Sequence, residues 1–199
     1  MNRKVLLVEP NYKNKYPPIG LMKLATYFRW CQDDVRFFKG DLKLFAAQLL
    51  CEEFFACVPN FKLGKYAPKL VEFIRTGKSC ILADIPCWDE YDLNDDLMVY
   101  RLRYVRHDFP KFDIIGVTTL FTFYWSQTVD TINYVKEFCA PNGQIIVGGI
   151  AATLQPDEMF KETGIRPYEG LLDKPGAIDD GNPLIIDELP LDYSILNEI

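Results

Sequence analysis

Apolar and polar positions along this chain switch between two periods. Lys4-Val5-Leu6-Leu7-Val8-Glu9, with four apolar residues in a row, reads as a buried strand. A proline-broken loop ending in Tyr16-Pro17-Pro18-Ile19-Gly20 follows, and then Leu21, Leu24, Ala25 and Phe28 fall at i, i+3, i+4 and i+7, on one face of a helix. Val35-Arg36-Phe37-Phe38, closed by Gly40, predicts a second strand, and Leu42, Phe45, Ala46, Leu49 and Leu50 return to the helical spacing.

The rhythm breaks over residues 58–110. A helical signal at Leu70, Phe73 and Ile74 stops at Gly77, and an acidic patch follows at Asp89, Glu90, Asp92, Asp95 and Asp96, so this stretch reads as a mostly helical insertion. The strand pattern resumes at Phe112-Asp113-Ile114-Ile115-Gly116-Val117-Thr118, predicting a central strand. Val129, Ile132, Val135 and Cys139 give a helical face, Pro141-Asn142-Gly143 a turn, and Gln144-Ile145-Ile146-Val147 a fourth strand ending in Gly148-Gly149. A helix near Pro156 to Thr163 and a short fifth strand around 166–172 complete the series.

Alternating strands and helices imply an α/β fold with right-handed crossovers. The expected architecture is a doubly wound, Rossmann-like parallel sheet of five strands in the order 2-1-3-4-5. Ligand loops then follow strands one, three and four at the carboxyl edge. The domain is expected to span 1–172, with 173–199 as an extended tail or linker.

Composition narrows the function. The chain has 199 residues, 49% of them hydrophobic, enough for a substantial core. A net charge of -6 opposes a phosphate-backbone footprint, so nucleic acid is not expected as a partner. No signal peptide and no membrane-length apolar run is present, which predicts a soluble cytoplasmic chain without a membrane partner. Six cysteines without close pairing predict reduced, mostly buried thiols. The only histidine, His107, lies in the insertion, so the usual zinc, triad and general-base schemes lack their customary member.

Three loops carry the candidate chemistry. The first holds Pro10, Asn11, Tyr16, Pro17, Pro18 and Ile19, a stiff lip against a flat ligand or an ordinary helix-capping loop. The second holds Thr118, Thr119, Leu120, Phe121 and Thr122, where hydroxyls suit a polar tail and aromatics a ring system; the alternative is a helix start with Thr or Ser capping and aromatics such as Trp125 facing the core. The third holds Gly148, Gly149, Ile150, Ala151 and Thr153, small enough for close backbone approach. The phosphate-binding G-x-G-x-x-G is absent after strand one, which disfavours a nicotinamide dinucleotide.

Four pieces in order, Val5-Leu6-Leu7-Val8-Glu9-Pro10 with Tyr16-Pro17-Pro18-Ile19-Gly20-Leu21, Phe112 to Thr118, Ile146-Val147-Gly148-Gly149, and Leu189-Pro190-Leu191-Asp192-Tyr193, together resemble the N-terminal cobalamin-binding-like domain of radical S-adenosylmethionine enzymes. The resemblance implies a flavodoxin-like fold that holds a corrinoid, or another planar small molecule, on the sixteen loop residues named above. It implies a downstream radical S-adenosylmethionine domain as partner, carrying the S-adenosylmethionine and the 4Fe-4S cluster. Asp192 and its neighbours would be the linker toward that barrel. No Asp-x-His-x-x-Gly follows strand one, so cobalt would have no histidine ligand, and no metal-ligating residue is assigned. Where relatives show Gly-Glu-Gly-Glu this chain has Tyr168-Glu169-Gly170-Leu171-Leu172, and it lacks C-x-x-x-C-x-x-C. Catalysis by the chain alone is therefore not expected. The other readings are a cofactor-free docking or structural domain of the same fold and, ranked below it, a flavin-binding or receiver-like domain.

Overall fold

The computed structural model describes residues 2–13, 17–58, 62–86 and 88–198. The chain divides into two compact units, Met1–Gly40 with Lys111–Ile199, and Asp41–Pro110.

The first unit is built on a parallel sheet of four strands, β1 (Lys4–Glu9), β2 (Asp34–Lys39), β3 (Phe112–Thr119) and β4 (Cys139–Gly149), in the order β2-β1-β3-β4. The register pairs Leu7 with Phe37 on one side and Gly116 on the other, and Gly116 with Ile146. β1 shows the fully apolar interior its sequence predicts, with Val5, Leu6 and Leu7 wholly buried. Gly116 supplies space: a Cβ there would stand 2.8 Å from Leu7 Cδ2. Pro141-Asn142-Gly143 does not end an element. It forms an irregularity inside β4, where the register steps from Phe112↔Cys139 to Ile114↔Gln144.

The expected fifth strand is not formed. The segment after residue 164 makes one ladder-like bond to the sheet, Tyr168 N–H to Val147 O at 2.7 Å. Pro167 has no N–H to donate, and Gly170 turns the backbone at φ +90°, so pairing cannot propagate in either direction. β4 is the edge strand, and its alternating half-buried positions reflect that.

Helix α1 (Ile19–Trp30) joins β1 to β2 and packs on the sheet. Pro17 and Pro18 lead into its first turn, where missing N–H groups cost nothing. Leu21, Met22, Leu24, Ala25, Tyr27 and Phe28 are buried, and each large side chain contributes roughly 2 kcal/mol. The spacing of Leu21, Leu24, Ala25 and Phe28 found this face.

The second unit is helical, with α2 (Leu42–Cys57), α3 (Ala67–Thr76), α4 (Cys80–Ala83) and α5 (Asn94–Val105). α2 packs against both α3 and α5. Asp41 caps α2 by accepting from Lys43 N–H at 2.9 Å. Arg101 donates to the carbonyls of Ile74 and Arg75, each at 2.8 Å, closing the carboxyl end of α3. The unit begins at Asp41, so it contains the helix that the β-α-β-α rhythm assigns to the sheet. Seven buried positions, Phe45, Ala46, Ala47, Leu49, Leu50, Cys51 and Phe54, surround most of α2, so its spacing names no single packing partner.

Back in the first unit, α6 (Trp125–Val135) connects β3 to β4, and α7 (Ile150–Leu154) and α8 (Pro156–Thr163) follow β4. No helix among the described residues is long and apolar enough to cross a membrane.

The tail beyond residue 172 contains only short 3-10 turns, but it is packed. Ile186, Leu189 and Ile195 join the cluster formed by α1, Val5, Leu7, Phe37 and Ile114. Polar ties hold it in place. Arg3 bridges Asp33 at 2.7 Å and Asp179 at 2.6 Å, Tyr27 OH donates to Asp179 at 2.9 Å, Thr26 OH donates to Pro190 O at 2.7 Å, and Arg29 pairs with Asp192.

The Arg3 guanidinium holds the Asp179 carboxyl below its usual range, while burial raises the Tyr27 phenol. A depressed carboxyl contributes stability that is present above its unfolded value, near pH 4, and lost as the pH falls through the folded value. Asp179→Asn is expected to lower stability at pH 7 by about 1–2 kcal/mol and to reduce the loss seen on acidification. Urea unfolding at pH 7 and pH 3 for both proteins checks this: an equal difference at the two pH values would remove the contact's role.

Candidate functional site

At the carboxyl edge of the first unit's sheet lies a cavity of about 380 Å³. Its floor is the ends of β3 and β4, with Thr118, Ile146 and Gly148; one wall is the start of α1, with Pro17, Pro18, Ile19, Gly20 and Leu24; the other is Tyr168, Gly170, Leu171, Leu172 and Asp187. Leu7, Gly116 and Ile146 sit side by side in register with Phe37. Side chains two residues further along share their face, so Thr118 and Gly148 point to the α1 side of the sheet.

All three predicted loops reach this cavity. Pro17, Pro18 and Ile19 come from the first, Thr118, Thr119 and Leu120 from the second, Gly148, Gly149 and Ile150 from the third. The remaining described candidates do not line it. Tyr16 lies outside the described residues. Pro10 accepts from Tyr12 N–H, and Asn11 O accepts from Gln127 Nε2 at 2.5 Å, so both hold the loop to α6 and to itself. Ala151 is buried, with its N–H on Leu120 O at 2.8 Å. Thr153 OH donates to Gly149 O at 3.0 Å and accepts from Gly170 N–H at 3.2 Å. Phe121 and Thr122 are exposed.

The helix-capping alternative for the second loop is corrected. No side chain caps α6, and Trp125 is half-buried with its Nε1–H on Glu162 at 3.0 Å. Phe121 and Phe123 stack on each other at 5.2 Å, 43% and 73% exposed, and Phe123 leans on Tyr124 at 4.5 Å. Tyr124 in turn meets Tyr12 at 4.7 Å. Tyr12 is buried, bonds Thr128 Oγ1 at 2.6 Å, and has its phenol raised by that burial. The four rings form a ledge running from solvent to core.

Gly149 borders the cavity, and its missing side chain also serves the fold. It adopts φ +115°, and a Cβ there would stand 2.2 Å from Thr119 O. The close contact locks β3 and β4 at their ends, and Thr119 Oγ1 accepting from Ala152 N–H at 3.0 Å completes the lock. Gly148 has an ordinary φ and only Tyr168 O, at 4.0 Å, near its missing Cβ. It is the position whose smallness leaves room in the cavity.

Polar groups in the lining are few. The lining residues with polar side chains are Thr118, Thr119, Tyr168 and Asp187, with Thr119 Oγ1 already accepting from Ala152 N–H, and no Lys, Arg or His lines the cavity among the described residues. Asp187 is anchored by its backbone: its N–H donates to Leu172 O at 3.1 Å and its carbonyl accepts from Lys23 Nζ. Sequence reasoning missed Asp187 and Leu172 as site residues, because the tail's return across α1 leaves no periodic signal. Leu24 was found, but only as core.

Neither His107 nor any described cysteine is among the cavity's lining residues. His107 stands at φ +56° after α5 and stacks on Phe109 at 5.4 Å. No group of three or more His, Cys, Asp or Glu residues able to hold a metal ion occurs among the described residues. The described cysteines are free, but the expectation of mostly buried thiols is corrected. Cys51 alone is buried, its thiol pushed up to about 12, while Cys57 at the end of α2 and Cys80 at the start of α4 are exposed. Set against known proteins, the chain matches no family model, no curated protein and no solved structure.

Gly149→Ala is expected to destabilise the fold by about 2–4 kcal/mol through backbone strain and contact with Thr119. Gly148→Ala is expected to stay within about 0.5 kcal/mol of the parent. Urea unfolding of the two variants separates a structural glycine from a cavity glycine; equal losses would erase the distinction.

Proposed function

We propose that this chain is a binding module that holds a corrinoid-type molecule at the carboxyl edge of its sheet and offers it to a radical S-adenosylmethionine domain. The observation that carries the reading is the cavity, to which all three loops named by the resemblance contribute. In an open parallel sheet this edge is where the fold receives ligands.

The lining's chemistry narrows the guest. An apolar floor with two hydroxyls and one carboxylate suits a large, mostly apolar ring carrying neutral hydrogen-bond donors such as amides. A phosphate-led ligand finds no cation in the described lining, which ranks a flavin mononucleotide below a corrinoid. The volume is smaller than a whole cobalamin. One edge or arm of the molecule fits within it, and the remainder would rest on the rim, where Ile19 and Leu171 are 54% and 69% exposed.

Residues that would hold the group are Thr118, Gly148, Ile19, Leu171 and Asp187. No histidine is among the described lining residues, so the cavity would offer cobalt no histidine nitrogen. When bound, the corrinoid supplies alkyl-transfer or electron-transfer chemistry; the chain's own part is to seat it, exclude water from one face, and orient it by the Thr118 and Asp187 contacts. The free thiols accord with a reducing, cytoplasmic location.

A second reading is a cofactor-free docking domain. It draws on the exposed apolar rim, where Ile150 joins Ile19 and Leu171.

Incubation with hydroxocobalamin, followed by desalting and visible spectroscopy, decides between them. Stoichiometric corrin absorbance is expected from the parent, and loss of at least tenfold in retention from Gly148→Leu, whose side chain fills the floor. A colourless parent favours the docking reading, and a Gly148→Leu variant that retains the pigment removes this cavity from the site.

A further inference from the structure

α5 is amphipathic the wrong way round. Of its five aliphatic residues only Leu97 is buried, while Met98, Val99, Leu102 and Val105 are each 43–56% exposed. At 100° per residue these four share one face, opposite the side on which Leu97, Tyr100 and Tyr104 lie. The inner side is well anchored. Arg101 closes α3, Arg103 pairs with Glu53 of α2 at 2.6 Å, and Tyr100 meets Phe54 at 5.7 Å, edge to face. The helix is fixed in place with its apolar stripe turned outward.

The same outer face carries opposite charges at its two ends. Asp95 lies at the amino end and Arg106 just beyond the carboxyl end, both exposed. On the helical wheel both fall within the stripe, between Leu102 and Val99.

We propose that this face is the contact between two copies of the chain, paired antiparallel along α5. A face that is acidic at one end, aliphatic in the middle and basic at the other is complementary to itself only when reversed. About a two-fold axis near the middle of α5, Asp95 of each copy faces Arg106 of the other, and Val99 of each faces Leu102. Such an isologous contact closes on itself and leaves no free stripe for a third copy. Reversal also opposes the two helix dipoles, so charges that suit each dipole within one chain serve again across the pair. Four side chains a copy cover well under the roughly 800 Å² per partner of a standard interface, so the dimer is weak and concentration-dependent.

Sedimentation velocity of the full chain over a wide concentration range tests this. The parent is expected to shift from monomer toward dimer as concentration rises, and Leu102→Glu is expected to remain monomeric throughout. Asp95→Arg alone and Arg106→Asp alone are each expected to lose association, because like charges then meet at both ends. Mixed in equal amounts, the two variants are expected to associate, since every Arg then faces an Asp. Circular dichroism confirms that each variant is folded, and the surface positions make that the expected result. A parent that stays monomeric at every concentration overturns the proposal and leaves the stripe to a different partner. Association indifferent to both single swaps, or swaps that fail to recover on mixing, overturns it too.

Discussion

Parallel pairing of β1 with a neighbour on each side is the constraint from which the first unit's architecture follows. Parallel neighbours cannot be joined by a hairpin, so each must be reached through a crossover. From β1 the chain moves outward to β2 through α1. From β3 it moves outward in the opposite sense to β4 through α6. Right-handed crossovers taken in opposite senses put their helices on opposite faces of the sheet. The carboxyl ends of the strands are left uncovered between them. The cavity forms where the start of α1 meets the carboxyl ends of β3 and β4.

What closes that cavity is also what completes the core. Leu172 and Asp187 form one wall, and Ile186, Leu189 and Ile195, from the same tail, finish the apolar cluster on α1. The tail's own hydrogen bonds close only short local turns, and its ties to the rest of the unit run to α1 and to Arg3: Lys23 to the Asp187 carbonyl, Thr26 to Pro190, Arg29 to Asp192, Arg3 and Tyr27 to Asp179. Occupation of the cavity and docking of the tail are thus linked by geometry. A guest that touches Leu172 and Asp187 favours the docked tail by whatever affinity it gains from them.

The sequence made one class of feature legible and concealed another. β1 was readable residue by residue and α1 by the spacing of Leu21, Leu24, Ala25 and Phe28, because burial on one side or both imposes a period on the side chains; the helix near Pro156–Thr163 was placed without such a spacing. The loops around the cavity were readable from topology, since the strand order fixes which connections meet at the edge. The fifth strand was not, because a short apolar run looks alike whether or not its backbone pairs, and one proline at 167 decides the matter. Nor were the tail's contacts, which rest on single side chains such as Asp179 and Asp192, with no spacing to betray them. α5 was missed as a surface for a related reason: periodicity reports that one helical face is apolar, not which face turns inward.

The roles of the paired glycines show how far residue type alone can mislead. Gly148 and Gly149 look equivalent in sequence and invite one reading, a backbone made small for a ligand. Strand alternation separates them. Gly148 shares the α1 face with Thr118 and Ile146, and its missing side chain is cavity volume. Gly149, one residue on, turns at φ +115° against the Thr119 carbonyl, and its missing side chain is what lets β4 close on β3. The first glycine makes room and the second makes the floor rigid. A rigid floor would matter for the proposed guest, because each group that need not be ordered on binding spares the complex that entropy. The chain meets the demands of space and stiffness with adjacent residues, and the one-residue offset of the pleat keeps the two roles apart.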